Sequence, residues 1–323
     1  MRILVTGGAG FIGSHLCRLL IGQGHNVTVL DDLSTGKYDN IRELEATGKL
    51  KLIVDTVNNS EICDRCVREA ERVFHLASAV GVRLIIDQPV RTIESIVGGT
   101  EVVLKSCARY RVPFLLTSTS EVYGKGSKVP FCEDDDTVMG PTSKRRWSYA
   151  TAKALDEFLA LAHWTETRQP VVVVRLFNTV GPRQTGQYGM VIPGFVRQAL
   201  RNEPITVYGD GQQSRCFAHV ADVVGALASI MECEAARGQV VNIGNDEEVT
   251  IMQLARRVKE LAGSSSEIRL VSYEEAYGEG FDDMRRRVPC IDKANRLIGY
   301  RPSRNLDDIL HDVIEYEKAQ LAR

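Results

Sequence analysis

Tyr149 and Lys153 are separated by four positions within the segment 148–154. If this segment is helical, the spacing places both side chains on one face. A free tyrosine is a poor base at neutral pH because its pKa is about 10, whereas a neighbouring ammonium stabilises the phenolate. The pair is therefore a candidate base for removing the proton of an alcohol.

Thr119, Ser120 and Glu121 precede this pair by some 30 residues and follow the β-rich run 113–118. Sheets of the α/β class bind ligands at the carboxyl ends of their strands. From this position the Thr119 hydroxyl is predicted to hydrogen-bond the same substrate hydroxyl as Tyr149. The alternative is a strand end rich in Ser and Thr that caps the next turn.

A glycine-rich loop follows the first predicted strand, 2–6, and leads into a predicted helix that begins near Phe11. Gly7 permits a tight turn, Gly10 lets backbone N–H groups approach a pyrophosphate, and Gly13 lets the helix pack close to the strand. The N-terminus of the helix adds a positive partial charge. The loop is therefore predicted to bind a dinucleotide; a glycine-rich turn without a ligand is the alternative.

Asp31 and Asp32 end a second predicted strand, 26–30, and lie about 20 residues after the loop. A carboxylate at this distance accepts hydrogen bonds from the adenosine ribose diol and repels the 2′-phosphate of NADP. The sequence therefore predicts NAD as the cofactor.

Short β-rich runs alternate with longer periodic segments through the first half of the chain. Nearly continuous apolar runs are typical of buried parallel strands, and the segments between them are long enough to cross one face of a sheet. The pattern predicts a doubly wound parallel α/β sheet of the Rossmann type. The predicted strands are 2–6, 26–30, 52–54, 72–76, 113–118 and 171–176, and the predicted crossover helices are 12–24, 90–110 and 149–167.

After residue 177 the pattern changes to loops punctuated by glycine and proline, with shorter predicted helices at 192–201, 221–233 and 250–261. We predict an NAD-binding Rossmann domain over 1–177. Residues 178–323 are predicted to form mainly a smaller C-terminal α/β substrate-binding domain, with segments returning to the first domain. Because no linker separates the two parts, they are expected to share one interface around a cleft.

The charge balance excludes a strongly basic nucleic-acid binder, since 40 Lys and Arg face 42 Asp and Glu, a net charge of −2. No uninterrupted apolar run reaches about 18 residues, so no membrane partner is predicted. Eight scattered cysteines in a chain of 323 residues are expected to be reduced thiols of a cytoplasmic protein. The lone CxxC, at Cys63 and Cys66, has no second Cys or His pair nearby, so no metal site is predicted.

The loop 7–13, Thr119, Tyr149 and Lys153 together resemble the extended short-chain dehydrogenase/reductases. Within that family, the resemblance is to the NAD-dependent sugar-nucleotide epimerases, dehydratases and decarboxylases, and it covers nearly the whole chain. Further matching segments are 75–78, 175–183, 205–211 and 242–244.

The resemblance implies an NAD cofactor, a UDP-sugar substrate and roles for the matching residues. Asn178 is expected near the substrate diphosphate and Tyr208 at the nucleotide base. Arg215 and Arg287 are expected at the phosphates, because a guanidinium fork suits phosphate oxygens. Val191 completes the expected substrate-binding set. The expected cofactor-binding residues are Gly7, Gly10, Phe11, Ile12, Gly13, Asp31, Asp32, Asp55, Leu76, Ala77, Ser78, Tyr149, Lys153 and Val180.

The family is expected to begin each reaction alike: Tyr149 takes the proton of the sugar 4-hydroxyl while NAD+ takes the C4 hydride, giving a 4-keto sugar. Dehydratases carry an Asp where this chain has Ser120, so dehydration is disfavoured. The pair Ser120 and Glu121 instead resembles the UDP-glucuronate decarboxylases, in which the C4 ketone lets the C5 carboxylate leave as CO2. Glu121 is then expected to exclude or orient this carboxylate, and Ser120 to hydrogen-bond it. The expected catalytic residues are Thr119, Ser120, Glu121, Tyr149 and Lys153.

Two alternatives stay open. Segments 181–184 and 190–193 look more like a UDP-sugar 4-epimerase, in which the keto sugar accepts the hydride on its other face. Uronate 4-epimerases carry a carboxylate-binding arginine where this chain has Gly194, which weakens that form of the alternative. The second alternative is an NAD(H)-binding sensor or scaffold of the same fold. Relatives usually pair as homodimers, which here would use 90–110 and 149–167.

Overall fold

A seven-stranded parallel sheet lies at the centre of the fold. The computed structural model describes residues 1–78, 88–185, 190–277 and 284–322. The strands in chain order are β1 (Arg2–Thr6), β2 (Asn26–Asp31), β3 (Leu50–Val54), β4 (Arg72–His75), β5 (Phe114–Thr119), β6 (Val171–Leu176), β7 (Thr179–Val180), β8 (Ile205–Tyr208), β9 (Ser214–Cys216), β10 (Ala218–His219), β11 (Val240–Ile243), β12 (Glu248–Thr250) and β13 (Ile268–Val271). The central sheet has the order β11-β6-β5-β4-β1-β2-β3. All of its neighbouring pairs are parallel, so the predicted doubly wound sheet is confirmed.

Helices cover both faces of this sheet. They are α1 (Phe11–Gly22), α2 (Arg42–Glu45), α3 (Ser60–Glu69), α4 (Pro89–Tyr110), α5 (Trp147–Thr167), α6 (Val191–Leu200), α7 (Val220–Glu232), α8 (Ile251–Leu261), α9 (Tyr273–Tyr277), α10 (Asp292–Ile298) and α11 (Leu306–Leu321). On one face α1 and α7 pack in one apolar core, and on the other α3, α4 and α5 pack in a second core.

The apolar run of β1 shows why both faces must be covered. Ile3 and Val5 belong to the first core, whereas Leu4 belongs to the second. Successive side chains of a strand point to opposite faces, so a strand between two helical layers needs apolar residues at every position. Cys63 and Cys66 lie on the buried face of α3 in the second core, instead of at the helix surface.

A third apolar core forms after residue 177, where α6, α8 and α11 pack around β8. The chain also returns to the central sheet, because β11 pairs with β6 at its edge. Sequence analysis assigned no strand to β11, since a run of four residues is too short to show a period. The division of the chain at residue 177 stays a prediction.

At most of the helix and strand ends, the boundary predicted from the sequence differs from the boundary in the structure by one or two residues. The helix predicted over 149–167 begins earlier, at Trp147, whose indole packs directly on the backbone of Gly140. All eight cysteines are free thiols. Among the helices of the described residues, none is long and apolar enough to cross a bilayer.

Candidate active site

A cleft of about 1130 Å³ opens at the carboxyl ends of the central strands. The turns after β1, β2, β4, β5 and β6 form one wall, and α6, β8 and β9 contribute to the other. The structure brings every predicted site residue to this cleft except Lys153, and their individual roles stay predictions. The predicted residues that line it are Gly7, Gly10, Phe11, Ile12, Gly13, Asp31, Asp32, Asp55, Leu76, Ala77, Ser78, Thr119, Ser120, Glu121, Tyr149, Asn178, Val180, Val191, Tyr208, Arg215 and Arg287.

Close backbone contacts explain the glycines between β1 and α1. Gly7 has a φ of +71°, and a Cβ there would lie 2.7 Å from the amide nitrogen of Ala77. A Cβ on Gly13 would lie 2.1 Å from the carbonyl oxygen of Gly7. Gly10 is the N-cap of α1, and no side chain caps this helix end. Because Gly10 and Phe11 line the cleft, the N–H groups at this end are available to an anion.

Asp31, at the end of β2, is held by backbone amides. Its carboxylate accepts hydrogen bonds of 2.9 Å from the amides of Ala9 and Leu33. Burial raises the pKa of this carboxyl, and the two amide bonds act in the opposite direction. Asp32 accepts hydrogen bonds from the amide and the hydroxyl of Ser34, at 3.0 and 2.6 Å. Carboxylate oxygens are thus fixed on the cleft wall at the carboxyl end of β2.

Tyr149 lies in the first turn of α5 and hydrogen-bonds with Thr119 at the end of β5. Burial raises the pKa of the Tyr149 phenol, the charges of Glu121 and Asp156 raise it further, and the bond with Thr119 lowers it. The sequence predicted a phenol made more acidic by Lys153. The structure differs because burial is the largest influence, so the protein alone holds this phenol neutral at neutral pH.

Lys153 lies in the interior, 2% exposed, and does not line the cleft. Its ammonium donates a 3.1 Å hydrogen bond to Oδ2 of Asp156, a carboxylate that is 0% exposed. The lysine predicted to act beside the cofactor is therefore also one half of a buried ion pair.

Glu121 lies between two arginines at the start of the turn after β5. Its Oε2 pairs with Nη1 of Arg146 at 3.0 Å, and its Oε1 pairs with Nη2 of Arg287 at 2.7 Å. Burial acts to raise the pKa of the Glu121 carboxyl, but the charges of Arg287 and Arg146, with Arg215 further off, hold it below its ordinary value. We call Glu121, Arg146, Arg215 and Arg287 the arginine cluster. The cluster brings three guanidinium groups and one carboxylate to this part of the cleft.

Two of the predicted substrate residues are anchored to the backbone around β9. Asn178 donates a 2.9 Å hydrogen bond to the carbonyl oxygen of Cys216, and Arg215 donates a 2.7 Å bond to the carbonyl oxygen of Ser214. Tyr208 is 38% exposed at the end of β8. The guanidinium of Arg287 pairs with Glu121, and its predicted place at the phosphates stays a prediction.

Sequence reasoning did not single out Arg146, Gln213 and Asp156 as site residues. Arg146 and Gln213 line the cleft, and Asp156 bonds to Lys153. The available signals were weak: Arg146 lies three positions before Tyr149, and Asp156 lies three positions after Lys153. Charged residues at these spacings are common on exposed helix faces, so only their burial reveals them.

Comparisons with known proteins agree with this geometry. A family model described as the NAD dependent epimerase/dehydratase family matches residues 3–244. The UDP-N-acetyl-alpha-D-glucosaminuronate decarboxylase of Bacillus cytotoxicus is 39% identical over 316 residues, 98% of this chain and 97% of that protein. UDP-glucuronic acid decarboxylase 1 of Xenopus tropicalis is 36% identical over 320 residues, 99% of this chain and 73% of that protein.

A solved structure shares the fold along the full length. The UDP-glucuronic acid 4-epimerase of Bacillus cereus, in complex with UDP-glucuronic acid and NAD, has a TM-score of 0.88 and 28% identity, and the match covers 99% of this chain and 100% of that one. The resemblance inferred from the sequence is therefore confirmed.

The residues of the cleft fit NAD. The uncapped end of α1 suits a pyrophosphate, the close contacts at Gly7 and Gly13 leave no space for side chains under it, and Asp31 and Asp32 suit a ribose diol. The chain therefore belongs to the NAD dependent epimerase/dehydratase family, whose cofactor this cleft is built to hold.

Proposed function

We propose that this chain is a UDP-uronate decarboxylase that converts UDP-glucuronate to UDP-xylose or a UDP-4-keto-pentose. The arginine cluster carries the proposal, because guanidinium groups near Tyr149 suit a sugar that bears a carboxylate. The two decarboxylase relatives, at 39% and 36% identity, support the same activity.

The chemistry begins at the sugar C4 hydroxyl. When bound, NAD+ supplies a hydride acceptor for this carbon and adds a positive charge to the site. The Tyr149 phenolate removes the hydroxyl proton, and the Thr119 hydroxyl holds the same oxygen. The Lys153 ammonium, in the next turn of α5, favours the phenolate form. The product of this step is a 4-keto sugar with Tyr149 protonated.

The C4 ketone lies β to the C5 carboxylate, so the bond between C5 and C6 can break with loss of CO2. The electron pair of that bond moves to the C4 oxygen as an enolate. Tyr149, now protonated, and Thr119 both donate hydrogen bonds to this oxygen. Ser120, which is 1% exposed and lines the cleft, is positioned to hydrogen-bond the departing carboxylate. A proton from solvent water adds to C5 and completes the keto-pentose. Return of the hydride to C4, with the proton of Tyr149 returning to the C4 oxygen, gives UDP-xylose.

The arginine cluster controls the carboxylate before this loss. Arg146 and Arg287 hold Glu121 ionised, so a substrate carboxylate must share these arginines with a fixed anion. The shared arrangement orients the carboxylate and divides Arg146 and Arg287 between two anions. Because decarboxylation moves the negative charge from the carboxylate to the C4 oxygen, weaker compensation at the carboxylate favours its departure over tight retention.

A 4-epimerase is the second candidate, and the fold shared with the Bacillus cereus UDP-glucuronic acid 4-epimerase favours it. The position that we align with the uronate-binding arginine of such enzymes is Gly194, and a Cβ there would have no neighbour within 4 Å. The cleft at Gly194 therefore offers open space instead of a cation. This difference weakens a uronate epimerase.

The UDP moiety is assigned to Asn178, in the turn after β6, and to Tyr208, Arg215 and the start of α6 at Val191, on the wall opposite the glycine loop. Asn178 and Arg215 are held by backbone carbonyl groups, which fixes their amide and guanidinium groups for diphosphate oxygens.

We further propose a cytoplasmic homodimer. The eight free cysteines support a reducing compartment. On α5, Leu155 is 52% exposed and Phe158 is 70% exposed, and on the adjoining α4 Val90 is 67% exposed. An apolar face on two packed helices suits a four-helix dimer interface. Sedimentation should show a dimer, and Phe158→Ser should shift it toward monomer; a wild-type monomer would contradict this assembly.

The test of the activity is a substrate panel analysed by mass spectrometry. Wild-type protein with NAD is incubated separately with UDP-glucuronate, UDP-N-acetylglucosaminuronate, UDP-glucose and UDP-galactose. The proposal predicts loss of CO2 from a UDP-uronate and no conversion of the neutral sugars. Interconversion of UDP-glucose and UDP-galactose, with no mass loss from either uronate, would establish the epimerase instead.

A further inference from the structure

We propose that Asp156 is a positioning residue for the reaction: through a buried chain of hydrogen bonds, it keeps the Lys153 ammonium charged and fixed in the turn of α5 that follows Tyr149. The inference rests on the proposed function only in using Tyr149 as the base, and it applies equally to decarboxylation and to epimerisation.

The chain runs from the central sheet through α4 to α5. The Thr6 hydroxyl lies 2.8 Å from Nδ1 of His75, and Nε2 of His75 lies 3.2 Å from the Thr100 hydroxyl. The Thr100 hydroxyl lies 2.8 Å from Oδ2 of Asp156, which also accepts the Lys153 bond of 3.1 Å. All five side chains are at most 2% exposed.

The direction of each hydrogen bond follows from the chemistry of the ends. An ionised carboxylate only accepts, so Thr100 donates to Asp156 and accepts from Nε2–H of His75. Burial, with the nearby Lys153 charge, lowers the pKa of His75 to about 3, so this ring is neutral and its Nδ1 accepts from the Thr6 hydroxyl. Thr6 in turn accepts a 3.3 Å hydrogen bond from the backbone amide of Ala77.

Every donor in this chain therefore points toward Asp156. The far end is a backbone amide, which does not release its proton, so the chain does not carry protons between Lys153 and solvent. Its effect is to orient the Asp156 carboxylate and to stabilise its negative charge. Ala77 lines the cleft, so the same chain links the backbone at the cofactor wall to Lys153 in the interior.

A buried ammonium needs such a partner. Within the described residues, Asp156 is the one carboxylate bonded to Lys153. Removing one member of a buried ion pair leaves an uncompensated charge, and the remaining group then tends to neutralise. Without Asp156, Lys153 is expected to lose its proton, and the Tyr149 phenolate then loses the neighbouring cation that stabilises it.

The other charges around this pair are compensated separately. Glu157, the next residue on α5, forms a bidentate pair with Arg175 from β6, at 2.7 and 3.1 Å. Glu121, from the turn after β5, faces Tyr149 and is bound by Arg146 and Arg287. His75 on β4 is neutral. The charge of Lys153 is thus matched by Asp156 rather than by these groups.

Two effects of Asp156 on Tyr149 have opposite signs, which makes the proposal testable. Acting directly, the Asp156 charge raises the pKa of the Tyr149 phenol. Acting through Lys153, it preserves the cation that, in the mechanism proposed above, stabilises the phenolate. In Asp156→Asn, a neutral Lys153 moves the acid limb of the pH–rate profile to higher pH. A Lys153 that stays charged moves this limb to lower pH.

The experiment measures the charge of Lys153 and the pH profile in the same variants. Side-chain ¹⁵N NMR, with the Lys153 signal assigned by its loss in Lys153→Met, reports whether Lys153 is an ammonium. We expect an ammonium in wild type and a neutral amine in Asp156→Asn at neutral pH. Turnover at neutral pH should fall about tenfold or more, with the acid limb raised by about one unit or more.

Two further variants complete the test. Thr100→Val removes the donor to Asp156 but keeps its charge, and should move the acid limb in the same direction by a smaller amount. The matched control is Glu317→Gln. Glu317 is a buried carboxylate bound to Arg197 at 2.8 Å, and its replacement should leave the pH profile unmoved. If Asp156→Asn does not fold, Thr100→Val carries the test.

An ammonium signal that persists in Asp156→Asn would overturn the inference, and so would an acid limb that stays in place or moves to lower pH in that variant. If Asp156→Asn is unfolded, an unmoved acid limb in Thr100→Val would overturn it instead. A wild-type protein that turns over no UDP-sugar would refute the proposed function, and the NMR measurement would still decide the role of Asp156.

Discussion

The two sides of the cleft are built in different ways. On the cofactor side, Gly7, Gly13 and Asp31 come from one short stretch of chain and are positioned by backbone contacts. On the substrate side, the arginine cluster comes from four separated segments and is positioned by charge pairs between side chains. The cofactor side is therefore fixed by local geometry, and the substrate side depends on long-range packing and on electrostatic balance.

Loss of Tyr149, which joins the two sides of the cleft, should have the largest effect on turnover. Tyr149→Phe removes the base but keeps the ring and its packing. Turnover should fall roughly 1000-fold or more, because no other group takes the C4 hydroxyl proton. Binding of NAD, followed by nicotinamide fluorescence or calorimetry, should change little. Retained turnover would remove Tyr149 from the mechanism.

Arg287 tests whether the substrate side recognises the sugar carboxylate or the phosphates. With Arg287→Gln, kcat/KM for UDP-uronate should fall about 100-fold, since a buried charge contact is lost. Binding of UDP alone, measured by calorimetry, should be affected much less. The neighbouring Arg286→Gln, an exposed residue paired with Glu248, is the matched control. An equal loss for UDP and for UDP-uronate would place Arg287 at the phosphates, as the sequence predicted.

Gly13 tests the backbone contacts of the cofactor side. A methyl group in Gly13→Ala would collide with the Gly7 carbonyl oxygen, 2.1 Å from the added Cβ. The backbone must shift, so stability should fall by about 1–3 kcal/mol and NAD affinity about tenfold or more. Gly22→Ala, near the end of the same helix, meets nothing within 4 Å and should bind NAD like wild type. Unchanged NAD affinity in Gly13→Ala would show that the loop tolerates a side chain.

Glu121 gives the smallest expected effect, a pH dependence of stability. The folded pKa of Glu121 is held below its ordinary value of 4.5, so its stabilising contribution is complete above that value. The contribution is lost as the pH falls through the folded pKa. The difference in Tm between wild type and Glu121→Gln should be constant between about pH 6 and 8 and should shrink below about pH 4.5. A difference that grows in acid would mean that Glu121 is protonated in the folded protein at neutral pH.

The same contrast explains what the sequence could predict. The glycine loop and the pair Tyr149 and Lys153 were identifiable because their function depends on spacing within one element. Asp31 was identifiable because it ends a strand at a fixed distance from that loop. The fold followed from the alternation of buried strands and crossover helices, and its family was then confirmed.

The features that the sequence did not predict depend on the contacts that form in the folded protein. Arg146 and Asp156 carry charges that are unremarkable in the sequence, and their burial gives them their roles. Lys153 was predicted as a site residue from its spacing, whereas its burial and its pairing with Asp156 appear only in the structure. The strand β11 was missed because it is stabilised by β6, 67 residues earlier in register, and has almost no local signal.

The central claim is that positive charge beside Tyr149 serves a sugar carboxylate which the enzyme then removes. The most direct measurement uses UDP-glucuronate labelled with a heavy carbon isotope at C6, incubated with wild-type protein and NAD. We predict that the label appears as CO2, in amounts equal to the UDP-pentose formed, and that Tyr149→Phe releases none. A label that stays in the nucleotide sugar while UDP-galacturonate accumulates would contradict the account.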